Sequence, residues 1–316
     1  MSISYEMQPL DTLFFRGSIP MEAGMQNVVS VFPPPVTVLS GAFWTAACQL
    51  ACKGTVDYGK PSDMPKVQGF FIKKNGVYYA PAPSTWYYDS EKKAKTGRDL
   101  KGVSLKVAEK LNERFSEQLG IKTSAGDVVF VKAENEAQPL ADCWVKTSFF
   151  TESKSVFDED TVLLKSDVYV VESRTGVALD NHKHTVEGQL YTATHIRLKD
   201  DISMVVVFED NEKLNFLGSS GKLQLGGEKR VIQYKVEAGM GSQKCDSELW
   251  VSSVPVMAEN SLLSEKLIAS GKFFVTSGWD FAKKFHKETV NWIPAGAVFN
   301  ENVNNSCLPL GKKADK

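Results

Sequence analysis

Three consecutive prolines within a long uncharged stretch constrain the fold of this chain more than any other feature. No charged residue occurs from Ala23 to Cys52, and Pro33, Pro34 and Pro35 interrupt this stretch. Proline lacks a backbone donor and fixes φ, so the residues before the prolines are expected to be extended, and a helix can begin only after them. The segment from about Val36 to Cys52 is too short and too polar for a membrane span, and it predicts a buried helix.

Short apolar runs separated by turn signals indicate that the first half of the chain mixes strands with helices. The opening ISYEMQPLDTLFF predicts a strand, and Asn75-Gly76 between two apolar runs predicts a tight hairpin, because both residues tolerate positive φ. Apolar spacings of three and four predict a helix over Ser104–Gln118, and a strand is expected over Asp127–Lys132. The polar stretch Phe150–Asp160 predicts a boundary or an exposed loop.

Strand patterns dominate beyond this stretch. We predict one helix over Leu262–Ser270 and strands over Val162–Glu172, Ile202–Phe208, Val231–Glu237, Lys272–Thr276 and Asn291–Phe299. Helices that connect antiparallel strands without strict alternation indicate the α+β class, in which the βαββαβ ferredoxin-like unit is a common solution. A chain of 316 residues is expected to form two domains, which we assign to residues 1–149 and 150–316.

Charge and cysteine content narrow the functional classes. The chain has 37 basic and 38 acidic residues, so a nucleic-acid surface has to arise from a local cluster of cations. Five cysteines, an odd number mostly far apart, favour a reducing, cytoplasmic setting. Cys48 and Cys52 have helical i, i+4 spacing, but without a nearby third Cys or His they predict no zinc site. The first residues lack the apolar core of a signal peptide, and no membrane partner is predicted.

Common catalytic signatures are absent from the sequence. It contains no Walker sequence and no HExxH, GxSxG or CxxC motif, so we predict a non-enzymatic protein without a metal or other cofactor. His182, His184 and His195 are the candidate set for metal binding or acid–base catalysis. The string DNHKH is more typical of an exposed hairpin turn, and this interpretation is favoured.

The segment Glu172–Leu198 predicts a long projecting hairpin. It has two apolar arms, a polar tip from Asp180 to Thr185, and Gly188 in the returning arm. A purely structural hairpin has the same pattern. In the functional interpretation its cations contact RNA phosphates and its rings stack on bases. The residues concerned are Arg174, Lys183, Arg197, His182, His184 and Tyr191.

The segment GSSGKLQLGGEKR combines a glycine-rich turn with Lys222, Lys229 and Arg230. Glycine lets backbone N–H groups approach phosphate oxygens, and the cations add charge attraction. A plain turn between strands explains the same residues, so a phosphate-binding loop and a plain turn both stay open.

Two positions in the first fifty residues are further candidates for anion contacts. Arg16 opens the loop after the first strand, from which a guanidinium can reach a phosphate bidentately. Thr37 and Ser40 lie near the start of the predicted helix, whose free N–H groups favour an anion. Ordinary solvation and helix capping account for these residues equally well.

Taken in order, these segments resemble a known family, the third subunit of the Cmr complex, which is the type III-B CRISPR effector and belongs to the repeat-associated mysterious protein (RAMP) superfamily. The matching stretches, which span Pro9 to Phe299, are PLDTLFFRGSIP, FPPPVTVLSGAFWTAA, PAPSTWYYD, SRTGVALDNHKHTVEGQLYTATHIRL, LQLGGEKR, and GWD with IPAGAVF. Their common order argues against coincidence.

The resemblance implies two ferredoxin-like, RRM-like domains with hairpin and loop insertions, in a non-catalytic RNA-binding subunit. It implies binding of the 5′ tag of the CRISPR RNA (crRNA), a position between the large polymerase-like subunit and the first backbone subunit, and only indirect contact with target RNA. The predicted RNA-binding residues are Arg16, Thr37, Ser40, Arg174, Asn181, His182, Lys183, His184, Tyr191, Arg197, Lys222, Gly226, Gly227, Lys229 and Arg230.

Two departures from the family pattern concern the helix contact. Gly17 stands where the family often has a polar residue, and Trp44 where it often has arginine. Two other functions remain open. One is a metal-independent, repeat-cleaving endoribonuclease of the same superfamily, with His182 or His184 as general acid or base. The other is a scaffold whose loops contact only neighbouring protein subunits.

Overall fold

The computed structural model describes residues 2–17, 28–51, 63–89, 100–110, 118, 130–131, 136–238, 247–258, 265–280 and 283–311. Across these residues the chain is mainly β-structure with one long helix. The α-helices whose bounds are described are α1 (Val36–Ala51) and α2 (Lys165–Val168), and 3₁₀-helices cover Thr147–Phe150, Glu212–Leu217 and Val303–Asn305. This content agrees with the predicted α+β class.

The strands of the described residues are numbered in chain order. They are β1 (Ser2–Pro9), β2 (Val67–Lys74), β3 (Val77–Pro81), β4 (Trp86–Asp89), β5 (Leu105–Val107), β6 (Glu109–Lys110), β7 (Phe130–Val131), β8 (Ala137–Pro139), β9 (Trp144–Lys146), β10 (Val162–Leu163), β11 (Tyr169–Leu179), β12 (Thr185–Leu198), β13 (Ile202–Glu209), β14 (Ser220–Gln224), β15 (Val231–Val236), β16 (Leu249–Ser252), β17 (Val256–Met257), β18 (Leu267–Ala269), β19 (Phe274–Thr276), β20 (Trp279–Asp280), β21 (Phe285–His286), β22 (Val290–Ile293), β23 (Val298–Phe299) and β24 (Cys307–Leu310).

Contacts divide the chain into two compact units, each drawn from three stretches of sequence. The first unit comprises residues 1–67, 168–238 and 276–289, and the second comprises residues 68–167, 239–275 and 290–316. Each unit therefore combines segments from both halves of the sequence. These units group residues by their contacts in space, whereas the boundary predicted between residues 149 and 150 divides the linear sequence. That boundary stays a prediction.

The core of the first unit forms where α1 packs on an antiparallel sheet. There β1 lies between β13 and β15, and β15 also pairs with β14. The ring of Phe43, on α1, lies 5.0 Å from Tyr5, 4.9 Å from Phe208 and 5.8 Å from Tyr234. Leu39 is also buried, one helical turn before Phe43. This helix confirms the prediction from the uncharged stretch, except that Cys52 lies outside the described residues.

The predicted long hairpin is present in the first unit, where β11 pairs with β12 along nearly its whole length. Its tip is a compact turn: Asp180 Oδ1 accepts hydrogen bonds from the backbone N–H groups of His182 and His184, both at 2.8 Å. Lys183 adopts a positive φ of 64° in this turn. The histidine-rich string therefore forms an exposed turn, as favoured above.

The second unit contains the antiparallel order β10–β9–β3–β2. The turn between β2 and β3 has positive φ at Asn75 (49°) and Gly76 (80°), which confirms the predicted tight hairpin. Trp86 packs edge-on against Phe149 and Phe150, with ring centroids 5.9 and 5.5 Å apart. Bulky aromatic rings therefore fill part of this core.

Two predicted helices are wrong over most of their described residues. Where a helix was predicted over Ser104–Gln118, β5 pairs with β4, and the buried residues Val103 and Leu105 alternate with half-buried ones, while Gln118 is helical. Where a helix was predicted over Leu262–Ser270, Glu265 and Lys266 are helical, but β18 then pairs with β23. Residues 111–117 and 262–264 of these segments lie outside the described residues. Short apolar runs fit the period of a helix and that of a strand equally well, and pairing with a neighbouring strand determined the structure in these two segments.

Candidate nucleic-acid interface

Three arginines from separate segments of the first unit converge on Asp11. Asp11 Oδ2 accepts hydrogen bonds from Arg174 Nη2 at 3.3 Å and from Arg230 Nη1 at 3.0 Å, and Asp11 Oδ1 accepts one from Arg197 Nη2 at 2.9 Å. Asp11 follows β1, while the arginines come from β11, β12 and the turn before β15. One carboxylate therefore joins three pieces of the unit.

The hairpin register explains why the arginines meet. Glu172 lies opposite His195 across β11 and β12. Because alternate residues of a strand point to the same face, Glu172, Arg174, His195 and Arg197 share one face of the hairpin. The base of the hairpin is attached to the chain beyond β1, where Leu13 N donates to the backbone oxygen of Ile196 at 2.7 Å and Ile196 N to that of Leu13 at 2.8 Å.

Acidic side chains balance the positive charge of the arginines. Glu172 accepts hydrogen bonds from Arg197 Nε and, at 3.2 Å, from Arg197 Nη2, and its Oε2 lies 3.5 Å from Arg174 Nη2. Glu228 Oε2 accepts from Arg230 Nη2 at 2.9 Å. We call Asp11, Glu172, Arg174, Arg197, Glu228 and Arg230 the arginine–carboxylate cluster. It contains three guanidinium groups and three carboxylates, so its formal charge is zero.

The ion pairs keep the cluster charged. For Asp11, desolvation opposes ionisation, but the Thr12 N–H and the guanidinium groups of Arg197 and Arg174 outweigh it and lower the carboxyl pKa. Hydrogen bonds from Arg197 lower the pKa of Glu172 against a smaller desolvation effect. Hydrogen bonds to Glu172 and Asp11 in turn raise the pKa of Arg197. Asp11 and Glu172 therefore stay ionised to lower pH than ordinary carboxyl groups.

The glycine-rich turn between β14 and β15 packs closely against the chain beyond β1. Gly226 has a positive φ of 82°, and a Cβ built there would lie 2.4 Å from the backbone oxygen of Phe14. Gly227 N donates to that same oxygen at 2.8 Å. Glycine is therefore required at position 226, both for the backbone conformation and for the close approach. The turn brings Glu228 and Arg230 to the hairpin face.

His195 lies beneath this turn and is completely buried. Its ring stacks on Phe14, with centroids 5.1 Å apart and planes at 24°. Nδ1 lies 3.2 Å from Thr12 Oγ1, and Nε2 lies 3.4 Å from Glu228 Oε2. Desolvation lowers the pKa of His195 below its ordinary value, although Glu228 opposes this shift, so the ring is neutral at neutral pH.

The other predicted hairpin residues lie at a distance from the cluster. Asn181, His182, Lys183 and His184 are all exposed at the tip, roughly 20 Å along the strands from Arg174 at the usual rise per residue. Tyr191 is half-buried, and its ring covers Gly176, where an added Cβ would lie 2.3 Å from the ring. The hairpin thus has a polar tip and a charged base.

The remaining predicted residues are spread over the surface of the first unit. Arg16 is exposed and forms an isolated bridge with Ser30. In the first turns of α1, Thr37 is exposed and Ser40 is half-buried. Lys222 on β14 and Lys229 in the glycine-rich turn are exposed. The structure therefore brings together Arg174, Arg197, Arg230 and the glycine-rich turn, and does not bring the other candidates to the same place.

Sequence reasoning missed the acidic half of the cluster. Asp11 is 163 residues from Arg174 and 219 from Arg230, so no local pattern connects them. The hairpin sequence did contain a pattern that predicts the Glu172 contact. Glu172 and Arg174 are two residues apart on one arm, and His195 and Arg197 are two residues apart on the other. In a paired hairpin this spacing predicts a shared face and cross-strand ion pairs.

Among the described residues, no group of three or more His, Cys, Asp or Glu side chains is arranged to hold a metal ion. No helix in the part of the chain described by the structure is long and apolar enough to cross a membrane.

The fold resembles that of chains in two solved Cmr-beta complexes. A chain of the type III-B Cmr-beta complex, determined by cryo-EM with cognate target RNA and AMPPnP bound, has a TM-score of 0.58 at 17% identity, covering 94% of this chain and 85% of that chain. A chain of Cmr-beta bound to cognate target RNA has a TM-score of 0.57 at 17% identity, covering 95% of this chain and 86% of that chain. No curated protein matches the sequence.

The family follows from the sequence itself. The model of the family described as CRISPR-associated protein (Cas_Cmr3) matches residues 5–253. The chain belongs to this family, and the resemblance to the third subunit of the Cmr complex is confirmed.

We predict that Gly226→Ala lowers the free energy of unfolding by more than about 2 kcal/mol, because it combines an unfavourable φ with a backbone clash. Urea unfolding of the full chain measures this change. Gly76→Ala is the matched control, because Gly76 has a similar φ of 80° and nothing within 4 Å of an added Cβ. Equal losses in the two variants would show that the contact with Phe14 adds nothing.

Asp11→Asn is predicted to remove part of the acid dependence of stability. Since folding lowers the pKa of Asp11, its contribution is present above the unfolded-state pKa of about 4 and is lost as the pH falls through the folded-state value. The stability difference between wild type and Asp11→Asn should therefore shrink from pH 7 to pH 3 in urea unfolding. Asp200→Asn, at an exposed turn, is the control. A difference that stays constant over this range would contradict the ion-pair account.

Proposed function

We propose that the chain is a non-catalytic RNA-binding subunit of a type III-B effector, acting in the cytoplasm in antiviral defence. In this proposal it binds the 5′ tag of crRNA, links the large polymerase-like subunit to the backbone subunits, and contacts target RNA only indirectly. Membership of the Cas_Cmr3 family supports the assignment. The complexes that contain the similar chains were determined with cognate target RNA bound, which also favours a role beside RNA.

One observation carries the proposal: Arg174, Arg197 and Arg230 meet at one partly exposed place. A guanidinium has five N–H donors in a planar fork, so it can bind a carboxylate on one edge and a phosphate on another. The exposed Lys229, next to Arg230 in the chain, adds a further cation. A single-stranded RNA backbone is the ligand that such a group suits best.

The hairpin tip provides a second type of contact. Lys183 can reach a phosphate, and the exposed imidazoles of His182 and His184, whose centroids are 6.3 Å apart, offer surfaces for base stacking. The tip and the base of the hairpin together would contact several nucleotides of one RNA strand, because they lie roughly 20 Å apart along the hairpin. The exposed candidates Arg16, Thr37 and Lys222 remain proposed contacts.

We also propose that the two units are elaborated ferredoxin-like domains. In the first unit, α1 packs on one face of an antiparallel sheet in the order β13–β1–β15–β14, and a helix on one face of an antiparallel sheet is a feature of ferredoxin-like domains. Insertions such as the β11–β12 hairpin would then be additions to a simpler α+β unit.

The endoribonuclease alternative has little geometric support at its candidate histidines. The side chain of His184 is 80% exposed and lies 3.7 Å from Asp180 Oδ2, while Asp180 Oδ1 is engaged in shaping the turn. General acid–base catalysis needs a fixed group in reach of the scissile bond. An imidazole on an exposed turn is poorly suited to that role.

We predict that purified protein does not cleave labelled repeat RNA in the presence of a metal chelator. Wild type and His184→Ala should leave the RNA equally intact in a gel assay. Cleavage by the wild type that disappears in His184→Ala would establish the enzyme instead.

The scaffold alternative is tested by photo-crosslinking in a reconstituted effector particle. crRNA carrying 4-thiouridine in its 5′ tag is expected to crosslink to this chain, in peptides from the hairpin or the glycine-rich turn. Crosslinks confined to neighbouring subunits would overturn the proposed tag binding and favour a purely protein–protein role.

In the same particle, Arg174→Ala and Lys229→Ala are each predicted to weaken crRNA binding roughly three- to tenfold. Each should also lower the salt slope of binding by about one ion, because one phosphate contact is lost. Lys199→Ala is the control, since Lys199 is exposed in the first unit outside the cluster. Affinity and slope that match the control in both variants would contradict the proposed contacts.

A further inference from the structure

We propose that the carboxylate of Glu228 occupies a phosphate subsite formed by His195 and Arg230, and that an RNA phosphate displaces it on binding. The inference rests on the proposed RNA-binding function and deepens it, because it assigns one phosphate to one place and identifies an internal competitor for that place.

Two buried side-chain nitrogen atoms without hydrogen-bond partners indicate the subsite. Within the part of the chain that the structure describes, His195 Nε2 and Arg230 Nε are both buried and have no hydrogen-bond partner. Leaving a buried donor unpaired costs free energy, and native proteins rarely tolerate it without a reason. An anion that binds between these side chains would supply the missing acceptors.

The present occupant satisfies the subsite only in part. Glu228 Oε2 lies 2.9 Å from Arg230 Nη2, a normal charge-assisted hydrogen bond. The same oxygen lies 3.4 Å from His195 Nε2 without forming a hydrogen bond to it. The two non-bridging oxygens of an RNA phosphodiester lie on a tetrahedral phosphorus, farther apart than the two oxygens of a carboxylate, so they can serve donors that a planar carboxylate serves poorly.

His195 is held in place for this contact. Phe14 stacks on one face of the ring, and Thr12 Oγ1 lies 3.2 Å from Nδ1. When the Thr12 hydroxyl donates to Nδ1, the neutral imidazole carries its proton on Nε2, the atom beside Glu228. The donor is therefore oriented before any ligand arrives, which lowers the cost of binding.

Glu228 is the carboxylate of the cluster that can move most easily. It lies in the glycine-rich turn, its side chain is 36% exposed, and the turn is held by the bond from Gly227 N to the Phe14 oxygen, which does not involve the Glu228 side chain. Asp11 by contrast lies between backbone hydrogen bonds at Leu10 and Leu13. Rotation of Glu228 into solvent leaves three guanidinium groups facing two carboxylates.

The first test compares the affinity of full-length variants for a single-stranded RNA of about twenty nucleotides at fixed salt. Glu228→Gln keeps the size of the side chain and can still accept from Arg230, but it removes the competing charge. We expect binding roughly three- to tenfold tighter than wild type, as for the removal of one opposing charge. Glu212→Gln, an exposed residue in the same unit, is the matched control and should leave affinity unchanged.

His195→Phe in the Glu228→Gln background isolates the subsite. Phenylalanine preserves stacking on Phe14 but removes Nε2, so the gain in affinity should disappear. Glu228→Ala provides a second charge-removing variant if Glu228→Gln unfolds at a lower temperature than wild type. Equal gains in Glu228→Gln and Glu212→Gln, weaker binding by both Glu228 variants, or a gain that persists in His195→Phe would each overturn the inference while leaving RNA binding intact.

A second arm distinguishes an RNA phosphate from a free phosphate compound. The ¹⁵N resonance of His195 Nε2 in Glu228→Gln, assigned by its loss in His195→Phe, should shift when RNA or inorganic pyrophosphate is added. A shift with pyrophosphate, together with no RNA binding by any variant or by the reconstituted particle, would preserve the phosphate subsite but refute both its RNA ligand and the proposed function. No shift with either probe would remove the subsite.

Discussion

The position of Asp11 between three guanidinium groups is the interaction on which the candidate site depends. It joins the chain beyond β1, the hairpin of β11 and β12, and the turn before β15 through hydrogen bonds of 2.9 to 3.3 Å. These segments also share backbone hydrogen bonds, through Leu13 with Ile196 and through Gly227 with Phe14. The backbone bonds fix the distances, and the ion pairs fix the directions of the side chains. The cations therefore act as one group.

Local chemistry made part of the fold predictable. The three prolines and the uncharged stretch beyond them correctly predicted α1, and Asn75-Gly76 correctly predicted the hairpin of β2 and β3. The helix errors occurred where apolar residues fit a helical period by chance, over β5 and β18, and the strand predicted over Val162–Glu172 is interrupted by α2. Both β5 and β18 are strands of three residues whose state depends on a partner remote in sequence, so intrinsic preference could not decide them.

The candidate site was predictable in its cations but not in its charge balance. Arg174, Arg197 and Arg230 could be proposed from the sequence, because each lies in a segment with turn or hairpin signals. Their meeting point depends on the β11–β12 register and on a glycine turn packed against Phe14, which are long-range features. A total charge of −1 gave no hint of a cluster in which acids and bases cancel locally. The balance of acids and bases in the cluster therefore became visible only in the structure.

The interleaving of the two units has a consequence for how the protein is made. Strand β1 pairs with β13, so Tyr5 leaves the ribosome about two hundred residues before its partner Val206. At the usual rate of translation this delay is on the order of 10 to 40 seconds, far longer than hydrophobic collapse takes. During that interval β1 has neither of its neighbouring strands, although α1, whose Phe43 packs on Tyr5, has already been made. The sheet of the first unit can therefore form only after most of the message has been read.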